Sequence, residues 1–153
     1  MNWSGDRTIT LTSDVTVIAD KFEIGGELSV VSGDGKEHSL RLIVPWTSES
    51  TTCPVTPAAG NINITAEVDV SSPASLLLYT PGAVKFPGNK DEKVSIRGQI
   101  YSCSMDSNRE TNLEYVMVGA PGASTVPPTP TPTPTSTSTS TTYTLTEEYR
   151  KDM

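Results

Sequence analysis

From Thr8 to about Met117 apolar and polar residues alternate with a period of two, through Ile9/Leu11, Val15/Val17, Phe22/Ile24, Leu28/Val30, Leu40/Leu42/Val44, Ile62/Ile64, Val68/Val70, Leu76/Leu78, Val84/Phe86, Val94/Ile96, Ile100 and Leu113/Tyr115/Met117. Successive side chains of a strand point to opposite faces, so each group predicts a short β-strand with one buried face. No stretch carries a helical stripe. Turn-forming clusters separate the groups: Ser13-Asp14, Gly25-Gly26, Gly33-Asp34-Gly35, Ser71-Ser72-Pro73, Pro81-Gly82 and Pro87-Gly88-Asn89. The expected class is all-β.

The first members of these groups advance through positions 9, 15, 22 and 28, and again through 62, 68, 76, 84 and 94, in steps of about six to ten, several of them shorter than the roughly 8 to 12 residues of sandwich strands. Short strands joined by sharp corners at near-constant spacing predict a right-handed single-stranded β-helix, with a β-sandwich as the alternative. Two segments interrupt the rhythm and read as excursions from the body: Thr47 to Gly60, which carries Cys53, and Met105 to Thr111, which follows Cys103. Residues 1–125 are thus expected to form a β-rich domain. The Thr/Pro/Ser run 126–142 reads as a disordered tether of extended polyproline II character, and 143–153 as a short strand or tail.

Composition narrows the function classes. Among 153 residues, 11 are basic and 18 acidic, a net charge of −7, and the basic residues are scattered. Nucleic acid and anionic membranes, which are bound by clustered Lys and Arg, are therefore not expected partners. No apolar run reaches the ~20 residues of a membrane span, and the N-terminal residues lack the basic-then-apolar layout of a signal peptide, so an exported protein would present this sequence as a mature segment.

Cys53 and Cys103 match no metal spacing. A thiol nucleophile needs a base, and the single histidine, His38, reads as an exposed hairpin residue; the expectation is a Cys53–Cys103 disulfide in an oxidising compartment. Closing so long a loop stabilises a fold by about 4 kcal/mol in the chain-entropy model.

The acids are dispersed among turns, and the hydrolase, zincin, phosphate-loop and nucleotide motifs are missing, so no catalytic residue, metal site or cofactor is expected. The run Asp34-Gly35-Lys36-Glu37 falls short of a calcium loop. Trp46, Tyr79 and Tyr101 are the candidate ligand-binding aromatics, each with a flat apolar face and a polar handle. Asn2-Trp3-Ser4 and Asn63-Ile64-Thr65 match the N-glycosylation pattern.

One stretch resembles a known family: Leu76-Leu77-Leu78-Tyr79-Thr80-Pro81-Gly82-Ala83-Val84-Lys85-Phe86, then Ile96-Arg97-Gly98-Gln99-Ile100-Tyr101, then Leu113-Glu114-Tyr115-Val116-Met117-Val118-Gly119-Ala120-Pro121-Gly122. It is similar to the β-helical C-terminal domain of bacterial surface proteins associated with type IV pilus assembly (PilX-like). The likeness covers about a third of the chain, and the cysteine pair and the Thr/Pro tract depart from the family pattern. It implies an exposed head that works by structure and contact rather than catalysis. Read physically, Pro81, Gly82 and Gly98 are architectural: Pro81-Gly82 supplies a corner where glycine takes positive φ, and Gly98 admits a close neighbouring strand.

These readings together predict a non-enzymatic, extracellular structural or adhesive component of a bacterial surface filament or envelope, with other copies or pilus and envelope proteins as partners. The alternative is a carbohydrate-binding module on a Thr/Pro-rich linker, with glycans as partners. A third, disfavoured reading is a β-helical polysaccharide lyase or hydrolase.

Overall fold

Alternation becomes burial through strands that stack in parallel at a fixed register. The structure, a computed structural model, describes residues 1–45 and 60–119, all within the compact unit Met1–Ala123. The strands are β1 (Asn2–Trp3), β2 (Arg7–Leu11), β3 (Val15–Ile18), β4 (Phe22–Ile24), β5 (Leu28–Ser32), β6 (Ser39–Ile43), β7 (Ile62–Ile64), β8 (Val68–Val70), β9 (Ser75–Tyr79), β10 (Ala83–Phe86), β11 (Lys93–Tyr101), β12 (Ser104–Ser107) and β13 (Glu110–Tyr115). No helix occurs among the described residues, so none of them forms a helix able to cross a membrane. Trp46, Cys53, the tether 126–142 and the terminus 143–153 lie outside the described residues.

The strands form two sheets. One has the order β1-β4-β7-β10-β12; the other runs β2-β5-β8-β11-β9-β6-β3, with β13 added on β11. Every pairing is parallel, and the register aligns like with like. Phe22 lies beside Ile62 and Ile62 beside Val84; Leu28 beside Val68 and Val68 beside Val94; Leu40 beside Leu76, and Leu42 beside Leu78. All of these side chains are buried in one continuous core, against which Trp3 packs, edge-to-face on Phe22 with ring centroids 6.5 Å apart. Outward positions of the same strands carry Thr8, Ser29, Asp69 and Ser95, again in one line across the sheet.

All-β character is present, but the β-helix and its sandwich alternative are both corrected. Parallel pairing throughout is not the antiparallel architecture of a sandwich. Regular single-stranded β-helical faces are also not formed, because the strands collect into two sheets of five and eight, the larger nearly closing on itself like a barrel. The cause lies in β11. In the earlier layers a corner separates β2 from β3, β5 from β6 and β8 from β9, whereas β11 runs nine residues without one. Its first half pairs with β8 and its second with β9, which merges two flanks into one curled sheet.

Gly98 makes this continuity possible. It has φ +153°, and a Cβ there would lie 1.9 Å from the Leu76 carbonyl oxygen. Gly82, by contrast, does not take positive φ, so the expected reason for it is wrong; what excludes a side chain there is space, since a Cβ would lie 2.6 Å from Asn61 Oδ1. The segment Met105–Thr111 is not an excursion either: it supplies β12 and the start of β13, both paired in the sheets. A Gly98→Ala substitution is expected to cost about 3 kcal/mol, by forcing β11 off β9 where backbone cannot yield. Urea unfolding of the variant against the parent measures it.

Candidate functional site

Among the described residues, the strands of the last layer pair on one side only. β12 follows β10 with Met105 beside Val84, and β13 follows β11 with Leu113 beside Ile96 and Tyr115 beside Gly98. These positions continue the core-facing lines, yet among the described residues no strand covers them, and Met105, Leu113 and Tyr115 are 48%, 48% and 72% exposed. With Gln99, Ile100 and the 53% exposed Tyr101 they border an open, mainly apolar groove of about 420 Å³.

Gln99 organises the groove. Its carboxamide is buried, and Nε2 donates to the hydroxyl oxygens of both Tyr101 and Tyr115 at 3.2 Å, while Oε1 accepts from the Val118 amide at 3.0 Å. The Val118 amide fixes which end of the carboxamide donates. Both phenol oxygens therefore act as acceptors toward Gln99, and their own O–H protons remain for an acceptor elsewhere. Tyr79, the neighbour of Tyr101 across the β9–β11 pair, is half-buried beneath it.

After β13 the chain folds back over the outer face of the larger sheet. Val116 N–H donates to the Gly98 carbonyl at 3.3 Å, and the Gly119 carbonyl accepts from Arg41 Nε at 2.9 Å. The strap covers the line Arg41, Leu77, Gln99, which explains why these outward positions are buried. Arg41 Nη2 also meets Asp14 Oδ2 at 2.9 Å, and Asp14 Oδ1 accepts from the Ser39 amide at 2.9 Å. Partial burial by itself pushes the Asp14 carboxyl up, but the Ser39 amide and the Arg41 guanidinium together hold it below the usual carboxylate value.

A second arginine closes the opposite corner. The Arg109 side chain has no exposed surface. Its Nε donates to the Phe86 carbonyl at 3.2 Å, Nη2 to the Pro87 carbonyl at 2.9 Å and to the Ile64 carbonyl, and Nη1 to Glu92 Oε2 at 3.2 Å. One guanidinium thus gathers carbonyls from the ends of β7 and β10 that the sheet leaves unpaired. Burial lowers its pKa, and the Glu92 charge opposes that shift. Nothing in the sequence pattern singles out Arg109, which there looks like one more scattered cation; only the corner geometry brings its guanidinium four acceptors.

The remaining sequence candidates separate. His38 is not an exposed hairpin residue: β5 and β6 do not pair, and its side chain, 13% exposed, meets Asp34 Oδ1 at 2.8 Å. Asp34 Oδ1 also accepts from the Lys36 amide at 3.0 Å, which, ahead of the His38 contact, holds the carboxyl down at about 2. That oxygen closes a turn. Asn63, in one of the glycosylation triplets, lies half-buried in β7 with its Nδ2 on Glu23 at 3.0 Å. Cys103 follows β11 and donates its N–H to the Gly82 carbonyl at 2.9 Å, and it is not a free thiol. Pro81 and Gly82 turn the chain from β9 into β10, the Gly82 amide donating to Thr80 Oγ1 at 3.0 Å. Among the described residues, no cluster of three or more His, Cys, Asp or Glu side chains is arranged to hold a metal ion.

Searches against protein-family models, curated proteins and solved structures return no match to this chain.

Arg109 tests how far the last layer depends on its clamp. Arg109→Ala leaves Glu92 without its partner and three carbonyls without donors, and is expected to cost about 3–5 kcal/mol. Arg109→Lys, which keeps the charge but not the fork, is expected to recover only part of that. Chemical denaturation of the two variants alongside the parent checks the order.

Proposed function

We propose that this chain is a non-enzymatic structural or adhesive module of a bacterial surface filament or envelope, acting outside the cell through its uncovered last layer. The observation that carries this reading is the exposed apolar line Met105, Leu113, Tyr115 on strands whose outer edges have no partner among the described residues. An exposed apolar patch bordered by unpaired strand edges is a surface built for contact with another protein. The resemblance of the segment from Leu76 to Gly122 to pilus-associated surface proteins points to the same setting. The Thr/Pro/Ser tract suits a tether between the module and whatever carries it.

The second reading, a carbohydrate-binding module, draws on Gln99. Two tyrosines held by one amide, with spare O–H donors beside an apolar groove, are a reasonable platform for a sugar ring. Light scattering and negative-stain electron microscopy over a concentration series, together with a glycan array, decide between them. The structural reading expects species larger than the monomer as concentration rises and no glycan signal dependent on Tyr101 and Tyr115. Saturable glycan binding by a strict monomer, lost in Tyr115→Ala, selects the second.

The extracellular setting rests on the proposed Cys53–Cys103 disulfide, supported by Cys103 not being free in a chain with two cysteines. Thiol titration of the unreduced, denatured protein should find no free sulfhydryl. Reduction should lower the unfolding midpoint by an amount that Cys53→Ser reproduces and Cys103→Ser does not increase. Two titratable thiols in protein made under oxidising conditions would remove this support.

A further inference from the structure

The uncovered last layer has a counterpart at the other end of the molecule. In the first layer Trp3, Ile9 and Val17 are only partly buried against the core, Val15 and Ile18 are exposed, and the outer edges of β1, β2 and β3 have no partner among the described residues. The register connects the two ends. Thr8 aligns with Ser29, Ser29 with Asp69, Asp69 with Ser95 and Ser95 with Asn112; Arg7 leads in the same way through Leu28, Val68 and Val94 to Thr111. Val17 leads through Leu42 and Leu78 to Ile100, and Ile18 through Ile43 and Tyr79 to Tyr101. What the next layer needs above β13 and the end of β11 is thus what β2 and β3 already are.

We infer that the occupant of the last layer is the first layer of a second copy, stacked head-to-tail and in parallel, with β2 of one copy on β13 of the other and β3 on the end of β11. This rests on the structural reading above and names the partner for that surface. In this arrangement Ile9 covers Leu113 and Val17 covers Ile100, while Leu11, already buried in its own chain, marks the register position of Tyr115.

The backbone edges have the matching phase. Arg7 N–H donates to Glu27 and Leu11 C=O accepts from Gly33, both on the β5 side, so the alternation of a strand leaves the N–H and C=O of Thr8 and Thr10 at the free edge. Val116 N–H points to Gly98, so by the same alternation Leu113 and Tyr115 turn theirs to the free edge of β13. With Leu113 opposite Ile9, its N–H reaches the Thr8 carbonyl and its carbonyl receives the Thr10 N–H, the ladder of any parallel pair.

Register and edge phase set the polarity of the stack, and Arg7 adds to them. Arg7 stands at a core-facing position of the first edge, and an inward charge there guards against indiscriminate pairing. Head-to-head contact brings the exposed Arg7 of both copies to one face, and tail-to-tail contact does the same for the exposed Asp106, while Glu110 and Glu114 are met within their own chain by Lys93 at 4.0 Å and Arg97 at 3.3 Å. Head-to-tail contact places Arg7 beside Thr111, one residue from Glu110, while Asp6 is already turned to the Glu27 amide at 3.0 Å. Because the two patches differ, the contact does not close on itself and continues copy by copy into a filament.

Cross-linking of the full chain tests this. Thr8 and Asn112 are exposed and adjacent only across the proposed interface. Thr8→Cys and Asn112→Cys proteins, mixed and mildly oxidised, should give at least about tenfold more mixed dimer than either gives alone, with no dimer from the parent chain. The double variant should give a ladder of oligomers. Adding Leu113→Asp to the Asn112→Cys protein should abolish the mixed dimer without changing its melting curve, since Leu113 is already half exposed. Equal amounts of like and mixed dimers, or assembly seen by light scattering without the mixed cross-link, overturns the stacking while leaving a surface module that uses another interface. A monomer at every concentration overturns self-stacking and the filament reading with it, leaving adhesion to a different partner.

Discussion

A parallel stack keeps a core only while each layer sets its inward side chains over those of the layer before it. Everything else in this molecule follows from that constraint. Layers about 4.8 Å apart bury each other's side chains and little else, so a one-residue slip of β7 would turn Ile62 and Ile64 outward together, away from Phe22 and Val84. The constancy of the register from β2 through β5, β8 and β11 to β13 is therefore a condition of stability as much as a description.

Such a core is narrow, and its corners leave carbonyls that no strand pairs. Two buried arginines answer this. Arg109 collects the carbonyls of Ile64, Phe86 and Pro87, and Arg41 ties the chain after β13 to the second layer through Gly119. Both charges are compensated, by Glu92 and by Asp14, as buried cations must be. Gln99 does the neutral equivalent, spending its acceptor on the Val118 amide and its donors on two tyrosines. The same residue thus ends the fold and shapes the surface the fold presents. Structure and candidate function meet in it because, among the described residues, the last layer has no successor to satisfy its polar groups or cover its apolar ones.

The sequence by itself determined the strand segments, since burial at every second residue is a local demand that period-two alternation meets directly: Phe22/Ile24, Ile62/Ile64, Val68/Val70 and Leu76/Leu78 are all core pairs within strands. It also offered Tyr101, with Trp46 and Tyr79, as candidate contact residues for their flat apolar faces and polar handles, and Tyr101 is 53% exposed. Tertiary structure decided the rest. Whether two apolar pairs are joined by a corner or by an unbroken strand depends on neighbours: Gly98 admits its neighbour β9 as closely as its residue type suggests, but only the packed chain shows β11 running unbroken across two partners, so two sheets replaced the expected β-helical faces. Ser104 to Ser107 is polar enough to look like a loop, and becomes a strand because β10 offers an edge. Arg109, Arg41 and Gln99 carry no local signature, for their roles are set mainly by carbonyls and the Tyr115 hydroxyl, brought from 16 to 78 residues away. Periodicity records which side of a strand faces the core; only the packed chain fixes which strand, which corner and which polar group lies on the other side.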